Sequence, residues 1–516
     1  MITFAVLAGP LPKLGVIAVA LLAAAVILVR DDVKRAWAML GALVLSPVLL
    51  LAEIWHSPQL GVIHRHPLEA FVGAVFALAA LAALAAFLAR RPRVLAPLAV
   101  AVLPFRIPIT TVTGGGSANL LVPLYFVVAA GALAWLVPIL WEHRDGGPPG
   151  EPADSAPERH LFERLLAGFV VLYAIQALYS LDFETALENM VFFYVPFALL
   201  LARLREFEWD RELVGWCLGV TAVLAVALAF IGFYEEATQT TLFSSKLANV
   251  NDVHPYFTVN SVFYDSNIFG RYMALVIVLL VALLLYERRQ RLLIGVTVTL
   301  AIVWGGLVLA LSRSSLLALL FGMGTLAAVH WRAGRRVLGV AAVLVVAGAI
   351  ALAISPTTFG LNQGLNGASS GRANLVTGGL SMFGSRPVWG YGSGSFATEY
   401  HRRNPSSTLT ASHTIPITVA AEQGLIGLLV YLALVISALL ALFREVRADP
   451  VRLAVTAAFV ALLVHTMLYA AFLEDPLSWT LLGIGSALLT GSRMHRTAEQ
   501  RQAERLRRAH SRSATV

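Results

Sequence analysis

The chain has 516 residues, of which 58% are hydrophobic and 13% are charged, and its mean hydropathy is +0.77. This balance excludes an ordinary soluble globular protein and indicates a polytopic membrane protein. The net charge of +8 does not indicate a nucleic-acid partner, because the arginines lie in short clusters between apolar runs, as in the loops of membrane proteins.

Apolar runs of about 17–25 residues, the length that crosses a bilayer as a helix, recur along the chain. The predicted spans are 14–29, 36–54, 68–88, 119–141, 161–181, 188–203, 212–233, 267–286, 291–311, 314–331, 337–354, 423–443, 452–472 and 476–491. A further run at 94–104 is too short to cross alone and is predicted to be tilted, broken or re-entrant. We therefore expect an all-α transmembrane bundle of about 12–15 spans without a soluble domain.

The predicted spans divide the chain into four parts. Residues 1–354 form transmembrane helices, interrupted at about 142–160 by a Gly- and Pro-rich cytoplasmic linker that we expect to be flexible. Residues 355–422 form a long polar loop, and 423–491 form the last transmembrane helices. The basic tail 492–516 is either a solvated segment or an amphipathic helix on anionic lipid.

The loops alternate in charge along the chain. Every second loop is rich in arginine, as in Arg90-Arg91-Pro92-Arg93 and Arg288-Arg289-Gln290-Arg291, so this set is predicted to be cytoplasmic. The long loop 355–422 belongs to the other set and is predicted to face outward.

Arginines on the outward side run against this bias and are the first candidates for function. Arg106 lies between Pro104 and Pro108, which fix the backbone around it; the alternative is an interfacial arginine that reaches lipid head groups. Arg271 lies about one turn inside a span, after a helix start that Asp265 and Asn267 are predicted to cap; the alternative is a structural pair with Asp265.

Two further arginines follow. Arg313 lies in a tight hairpin between two spans, where it points into a cavity of the bundle or anchors the interface. Arg372 starts a predicted helix in the long loop, and its alternative is a solvated surface residue. Because guanidinium groups bind phosphate oxygens bidentately, several of them in one outward cavity would bind a lipid-linked diphosphate and stabilise it as a leaving group without a metal.

His413 is the candidate general base, because an imidazole titrates near neutral pH and can take a proton from a sugar hydroxyl. It stands where the long loop re-enters the membrane, shortly before Glu422. We expect no metal and no cofactor: the outward loops contain no cluster of paired acids of the kind that holds a divalent ion, and the first of these loops, 55–67, has no Asp or Glu. A single cysteine, Cys217, excludes an intrachain disulfide.

These residues, in this order, resemble the superfamily of O-antigen ligases and Wzy-type polysaccharide polymerases. The matching segments are Asp265-Ser266-Asn267 with Arg271, Leu311-Ser312-Arg313-Ser314, Arg372, the run from Phe383 to Phe396, Ser412-His413 and the run from Glu422 to Gly427. The chain departs from the family pattern at Leu375, which follows Arg372 one residue early, and at Thr414, where members often have Asn.

The resemblance implies an inverting, metal-independent glycosyltransferase. Such an enzyme moves a glycan from an undecaprenyl-diphosphate carrier to a glycan or lipid acceptor at the outer face of the bacterial inner membrane. His413 would deprotonate the acceptor hydroxyl, while Arg313, Arg372 and Arg271 would hold the diphosphate.

Arg106, Asn267 and Glu422 complete the predicted substrate site. Tyr391, with Phe396 and Tyr400, is predicted to stack on sugar rings.

The competing interpretation is a transporter or flippase for a lipid-linked glycan. Such a protein needs charges along a path through the bilayer, whereas here the spans contain few ionisable residues at mid-depth and the basic groups gather on one face. The sequence therefore favours an enzyme. It does not distinguish a ligase from a polymerase, because both use the same donor and differ only in the acceptor.

Overall fold

The structure is a computed structural model that describes residues 9–54, 66–110, 117–144, 160–242, 257–332, 334, 336, 372–405, 414–469 and 471–491. Among these residues, 11 helices are long and apolar enough to cross a membrane. The prediction of a polytopic all-α bundle is thereby confirmed. The predicted span 337–354, most of the linker at 142–160 and the tail 492–516 lie outside the described residues.

The helices are α1 (Pro10–Leu28), α2 (Asp32–Ile54), α3 (Pro67–Arg90), α4 (Leu95–Val102), α5 (Val122–Arg144), α6 (Leu161–Ala177), α7 (Phe183–Asn189), α8 (Val195–Leu204), α9 (Arg211–Thr238), α10 (Ser266–Leu284), α11 (Gln290–Leu309), α12 (Arg313–His330), α13 (Arg372–Ser385), α14 (Phe396–Arg403), α15 (Ile415–Phe443), α16 (Pro450–Leu468) and α17 (476–491). A π-helical turn, Met190–Tyr194, joins α7 and α8 into one continuous apolar helix. Helices α6 and α17 are apolar but shorter than the other spans.

The short run predicted at 94–104 is the eight-residue helix α4, preceded by a 3₁₀ turn at Pro92–Val94. A small antiparallel hairpin follows, with β1 (Ile107–Thr110) paired to β2 (Ser117–Leu120) and Ile107 opposite Leu120. This hairpin is the only pair of strands within the described part of the chain.

The interior of the bundle is formed by α8, α10 and α16, which bury most of their side chains. Helices α3 and α11 lie at the periphery and leave most of theirs exposed. Because all these helices are apolar around most of their circumference, an exposed face on the outer ones is what a lipid environment requires.

One end of the bundle collects arginines from loops that are far apart in the sequence. We call this end the basic face; it carries Arg35, Arg203, Arg205 and Arg452. The Arg205 guanidinium donates to the Ile27 carbonyl at 2.6 Å and to the Glu163 carboxylate at 3.2 Å. This is the end that the charge pattern predicts to be cytoplasmic.

The opposite end, which we call the loop face, carries the hairpin, α13, α14 and the turns 178–182, 310–312 and 471–475. Helix α15 reaches this face, since it begins at Ile415 rather than at the predicted residue 423. Its backbone is broken at Gly424, where φ is 66° and ψ is −162°, a conformation open almost only to glycine.

Candidate active site

Two helix starts meet on the loop face. The Asp265 carboxylate caps α10 by accepting the backbone N–H of Asn267 at 2.8 Å, and Ser312 caps α12. The Ser312 hydroxyl also donates to the side-chain oxygen of Asn267 at 2.9 Å. Gly270 permits this close approach, because a Cβ there would lie 2.8 Å from the Ser315 hydroxyl. The starts of α10 and α12 therefore form one hydrogen-bonded unit.

Arg313 is the first residue of α12 and follows Ser312 directly. The chain turns sharply before it, with a left-handed φ of 48° at Leu311. The Arg313 side chain is exposed, and no described residue forms an ion pair or hydrogen bond with its guanidinium. The structure thus places Asn267 and Arg313 at the same edge of the bundle, with the charge of Arg313 available to a ligand.

Arg271 is buried one turn inside α10 and forms a salt bridge with Asp475; each side chain is only 2% exposed. Asp265, the partner that the sequence offered as an alternative, caps α10 instead. The Nε and Nη1 atoms of Arg271 find no hydrogen-bond partner among the described residues. Because unpaired buried N–H groups cost free energy, this guanidinium has unused capacity for an anion.

Arg106 and Arg271 line the same small cavity, together with Asp475. The Arg106 guanidinium lies 5.3 Å from the centre of the Tyr264 ring. Burial raises the pKa of the Tyr264 phenol, and the charge of Arg106 opposes that rise. Two guanidinium groups and one carboxylate leave the cavity with a net positive charge, which suits an anionic ligand.

An apolar groove lies directly beside this cavity. It runs between α4, α9, α10, α16 and α17, with apolar side chains forming nearly all of its wall. Leu103, Tyr272 and Leu477 line both the groove and the arginine cavity. A molecule with a long apolar tail and an anionic head would fit this pairing of surfaces.

The glycine-rich segment 390–396 is docked on the broken helix α15. Gly390 and Gly424 face each other across this contact: a Cβ on Gly390 would lie 2.2 Å from the Glu422 carbonyl oxygen, and one on Gly424 would lie 2.2 Å from that of Val388. Both glycines have positive φ angles, so the fit needs glycine on both sides.

Glu422, on α15, holds this segment through hydrogen bonds. Its carboxylate accepts the backbone N–H groups of Gly394 and Phe396, each at 2.9 Å, and its side chain is buried. Both oxygens are therefore occupied by the loop. The geometry supports a positioning role for this residue rather than direct contact with a substrate.

Tyr391 is buried between two arginines, with Arg386 at 4.5 Å and Arg403 at 5.2 Å from the ring centre. Glu399 holds Arg403 and Arg402, each through an Nε–H donated at 2.7 Å. Burial alone would raise the pKa of Glu399, but these hydrogen bonds outweigh it and lower the pKa.

This arrangement does not support the predicted stacking of loop aromatics on sugar rings. Tyr391, Phe396 and Tyr400 are all buried in one apolar cluster with Leu375 and Met382. In place of a sugar, the Tyr391 ring packs against guanidinium groups, and this contact orients Arg403.

The predicted site residues thus fall into three groups. Arg106 and Arg271 line the arginine cavity, and Asn267 and Arg313 lie at the joined starts of α10 and α12. Tyr391 lies in the glycine-rich segment 390–396, and Glu422 holds that segment from α15. The catalytic base of the prediction, His413, lies outside the described residues, as does the side chain of Arg372, whose backbone begins α13.

The turn 471–475 connects these groups, and sequence reasoning passed over it. Asp475 pairs with Arg271 in the arginine cavity. Glu474 lines a neighbouring cavity with Glu422 and Ile415, and burial raises the pKa of Glu474 to about 7. The available signal was two adjacent acids directly before the last predicted span. Within the described part of the chain, no three His, Cys, Asp or Glu side chains lie together as metal ligands would.

Comparison with known proteins identifies one domain. Residues 298–432 match the family model described as O-antigen ligase. The matched range runs from α11 into α15 and includes Arg313, Arg372 and His413, whereas Arg106, Asn267 and Arg271 precede it. No curated protein matches the chain.

Proposed function

We propose that this chain, which belongs to the superfamily of O-antigen ligases and Wzy-type polymerases, is a membrane glycosyltransferase that uses a lipid diphosphate as its donor. The transferred glycan would come from an undecaprenyl-diphosphate carrier and pass to a hydroxyl of a glycan or lipid acceptor.

The observation that carries this proposal is the apolar groove that opens beside the arginine cavity. The two share Leu103, Tyr272 and Leu477, so a lipid tail in the groove brings its head group to Arg106 and Arg271. Arg271 has N–H groups to offer, and Arg313 contributes an exposed positive charge at the edge formed with Asn267. Fixed guanidinium groups stabilise the charge of a diphosphate leaving group in the way that Mg²⁺ does elsewhere.

The proposed reaction is a single displacement. The acceptor oxygen attacks the anomeric carbon of the first donor sugar, the bond from that carbon to the diphosphate oxygen breaks, and the configuration inverts. His413 takes the proton of the acceptor hydroxyl, while Arg313 and Arg372 stabilise the departing lipid diphosphate. Asn267 holds the α12 start that carries Arg313, and Glu422 and Tyr391 order the loop that carries Arg403.

We place the reaction at the outer surface of the bacterial inner membrane. The basic face gathers the arginine-rich loops that the positive-inside rule assigns to the cytoplasm, and the loop face lies at the other end.

The test uses purified protein in nanodiscs with a synthetic polyprenyl-diphosphate glycan donor. We expect His413→Ala and Arg372→Ala to abolish transfer, whereas Arg402→Ala, which removes an exposed arginine of the same loop, retains it. Retained transfer in the first two variants would refute the proposed mechanism.

In cells, the glycans of a deletion strain identify the reaction class. Long chains left on the carrier identify a ligase, and single repeat units identify a polymerase. Donor that accumulates only in the inner leaflet would instead identify a transporter and contradict the proposal.

A further inference from the structure

The segment Arg386-Pro387-Val388-Trp389 presents apolar side chains outward, next to a lipid-exposed helix. Val388 is 50% exposed and Trp389 is 56% exposed, although both belong to a tightly packed segment. Their backbone is fixed, because the Leu425 N–H donates to the Pro387 carbonyl at 2.7 Å and the Tyr179 hydroxyl donates to the Trp389 carbonyl at 2.7 Å. The outward placement of these two side chains is therefore set by the fold.

The neighbouring surface of α15 shows what these side chains face. One stripe of this transmembrane helix consists of exposed apolar residues at helical spacing: Leu425, Leu429, Leu432, Ile436, Leu440 and Phe443. Such a stripe on a spanning helix is its lipid-facing side. Val388 and Trp389 lie beside its first residue, Leu425, and extend the same surface by one layer.

The length of α15 fixes the height of this layer. The helix ends at Phe443, and the exposed Arg444 follows it at the basic face. About 20 helical residues cross the about 30 Å of hydrocarbon, so the far boundary of the hydrocarbon lies close to Gly424. Val388 packs directly on Gly424, which puts Trp389 at the level of the lipid head groups.

The residue types in the segment 386–389 are those expected at the level of the lipid head groups. Tryptophan and tyrosine concentrate at the boundary between hydrocarbon and head groups, where an apolar ring with a polar edge is best solvated. Tyr179, which is bonded to Trp389, is also exposed here. Arg386 is exposed beside them. One face of its guanidinium packs on the Tyr391 ring, and no described carboxylate pairs with it, so its N–H groups can reach a lipid phosphate.

We propose that residues 386–389 are a membrane anchor for the docked loop, with Val388 and Trp389 inserted at the head-group boundary and Arg386 bound to lipid phosphate. The bilayer surface then helps to hold the glycine-rich segment 390–396 in its contacts with Gly424 and Glu422. This proposal rests on the transmembrane fold and is independent of the proposed chemistry.

Spin labelling tests the anchor without relying on activity. Cys217 is the only cysteine, so Cys217→Ser provides a background for Val388→Cys and Trp389→Cys, each labelled with a nitroxide in nanodiscs. Ile436→Cys, at mid-span on the lipid-facing stripe, and Arg402→Cys, at an exposed loop position, are the reference sites.

We expect labels at 388 and 389 to collide more with dissolved oxygen than with a water-soluble Ni(II) chelate, at a depth between the two reference sites. Labels that are as accessible to the chelate as the label at 402, or shielded from both reagents, would overturn the proposal. Adding Arg386→Gln should shift the label at 389 toward water, and an unchanged depth would contradict the role of Arg386.

Discussion

The Arg271–Asp475 salt bridge offers a way to separate stability from donor binding. Both side chains are 2% exposed, so Asp475→Asn leaves a buried guanidinium without its counter-charge. Removal of one partner of a buried ion pair costs about 3–5 kcal/mol, whereas replacement of both partners by apolar residues of similar size is close to neutral. We therefore expect Asp475→Asn to lower the free energy of unfolding by that amount and Arg271→Met/Asp475→Leu to restore most of it.

Donor binding should not recover in the double variant. Arg271 has two buried nitrogen atoms without partners among the described residues, and a hydrogen bond from a charged group contributes about 1.5–3 kcal/mol. The double variant should therefore bind the lipid diphosphate about 10- to 150-fold more weakly than the wild type, since each 1.4 kcal/mol is about tenfold.

The measurements are chemical unfolding in micelles and titration with a short-chain polyprenyl diphosphate. The matched control is Arg205–Glu163, an equally buried pair on the basic face. Glu163→Gln should cost similar stability, and Arg205→Met/Glu163→Leu should leave donor affinity unchanged. A stable Arg271→Met/Asp475→Leu protein with wild-type donor affinity would refute the assignment of Arg271 to the donor site.

Three further predictions concern the docked loop and the turn beside it. Glu422→Ala removes the acceptor of two backbone N–H groups, so hydrogen exchange in residues 390–396 should rise and turnover should fall, whereas unchanged exchange would exclude this positioning role. Gly424→Ala forces a side chain into a glycine-only backbone conformation and against Val388, so it should lower the free energy of unfolding by more than about 2 kcal/mol. The control Gly295→Ala, in open space on α11, should not lower it. Equal melting temperatures for the two variants would contradict this prediction. Burial raises the pKa of Glu474 to about 7, above its ordinary value, so the folded state holds this proton more tightly than the unfolded state does. The free energy of unfolding should therefore fall as pH rises from about 4.5 to 7, and Glu474→Gln should flatten that dependence. An identical pH profile in the variant would contradict this prediction.

Most of the helical framework was predictable because span length is a property of the bilayer. Each predicted span within the described residues corresponds to a helix, and the short run at 94–104 is the short helix α4. The break in α15 was not predictable from Gly424 alone. Its backbone angle depends on the segment around Gly390, which packs against it from a separate part of the chain.

The sequence pointed to Arg271 and Arg313 as candidates, because arginines in the loops predicted to face outward oppose the positive-inside bias, but it did not give their partners. The partner of Arg271 was out of reach, since Asp475 follows a different span and meets it only in the folded bundle. The burial of Tyr391 could not be predicted either, because the sequence does not show whether an aromatic residue in a glycine-rich loop contacts a sugar or a guanidinium.

We propose that guanidinium groups at the loop face hold a lipid diphosphate while an imidazole activates the acceptor. Native mass spectrometry of the purified protein with a polyprenyl-diphosphate glycan tests both parts in one sample, before and after addition of acceptor. We predict that His413→Ala retains the intact donor without releasing polyprenyl diphosphate, and that Arg271→Met/Asp475→Leu with Arg313→Gln retains almost none. Donor turnover in the His413 variant, or full donor occupancy in the arginine variant, would contradict the proposed mechanism.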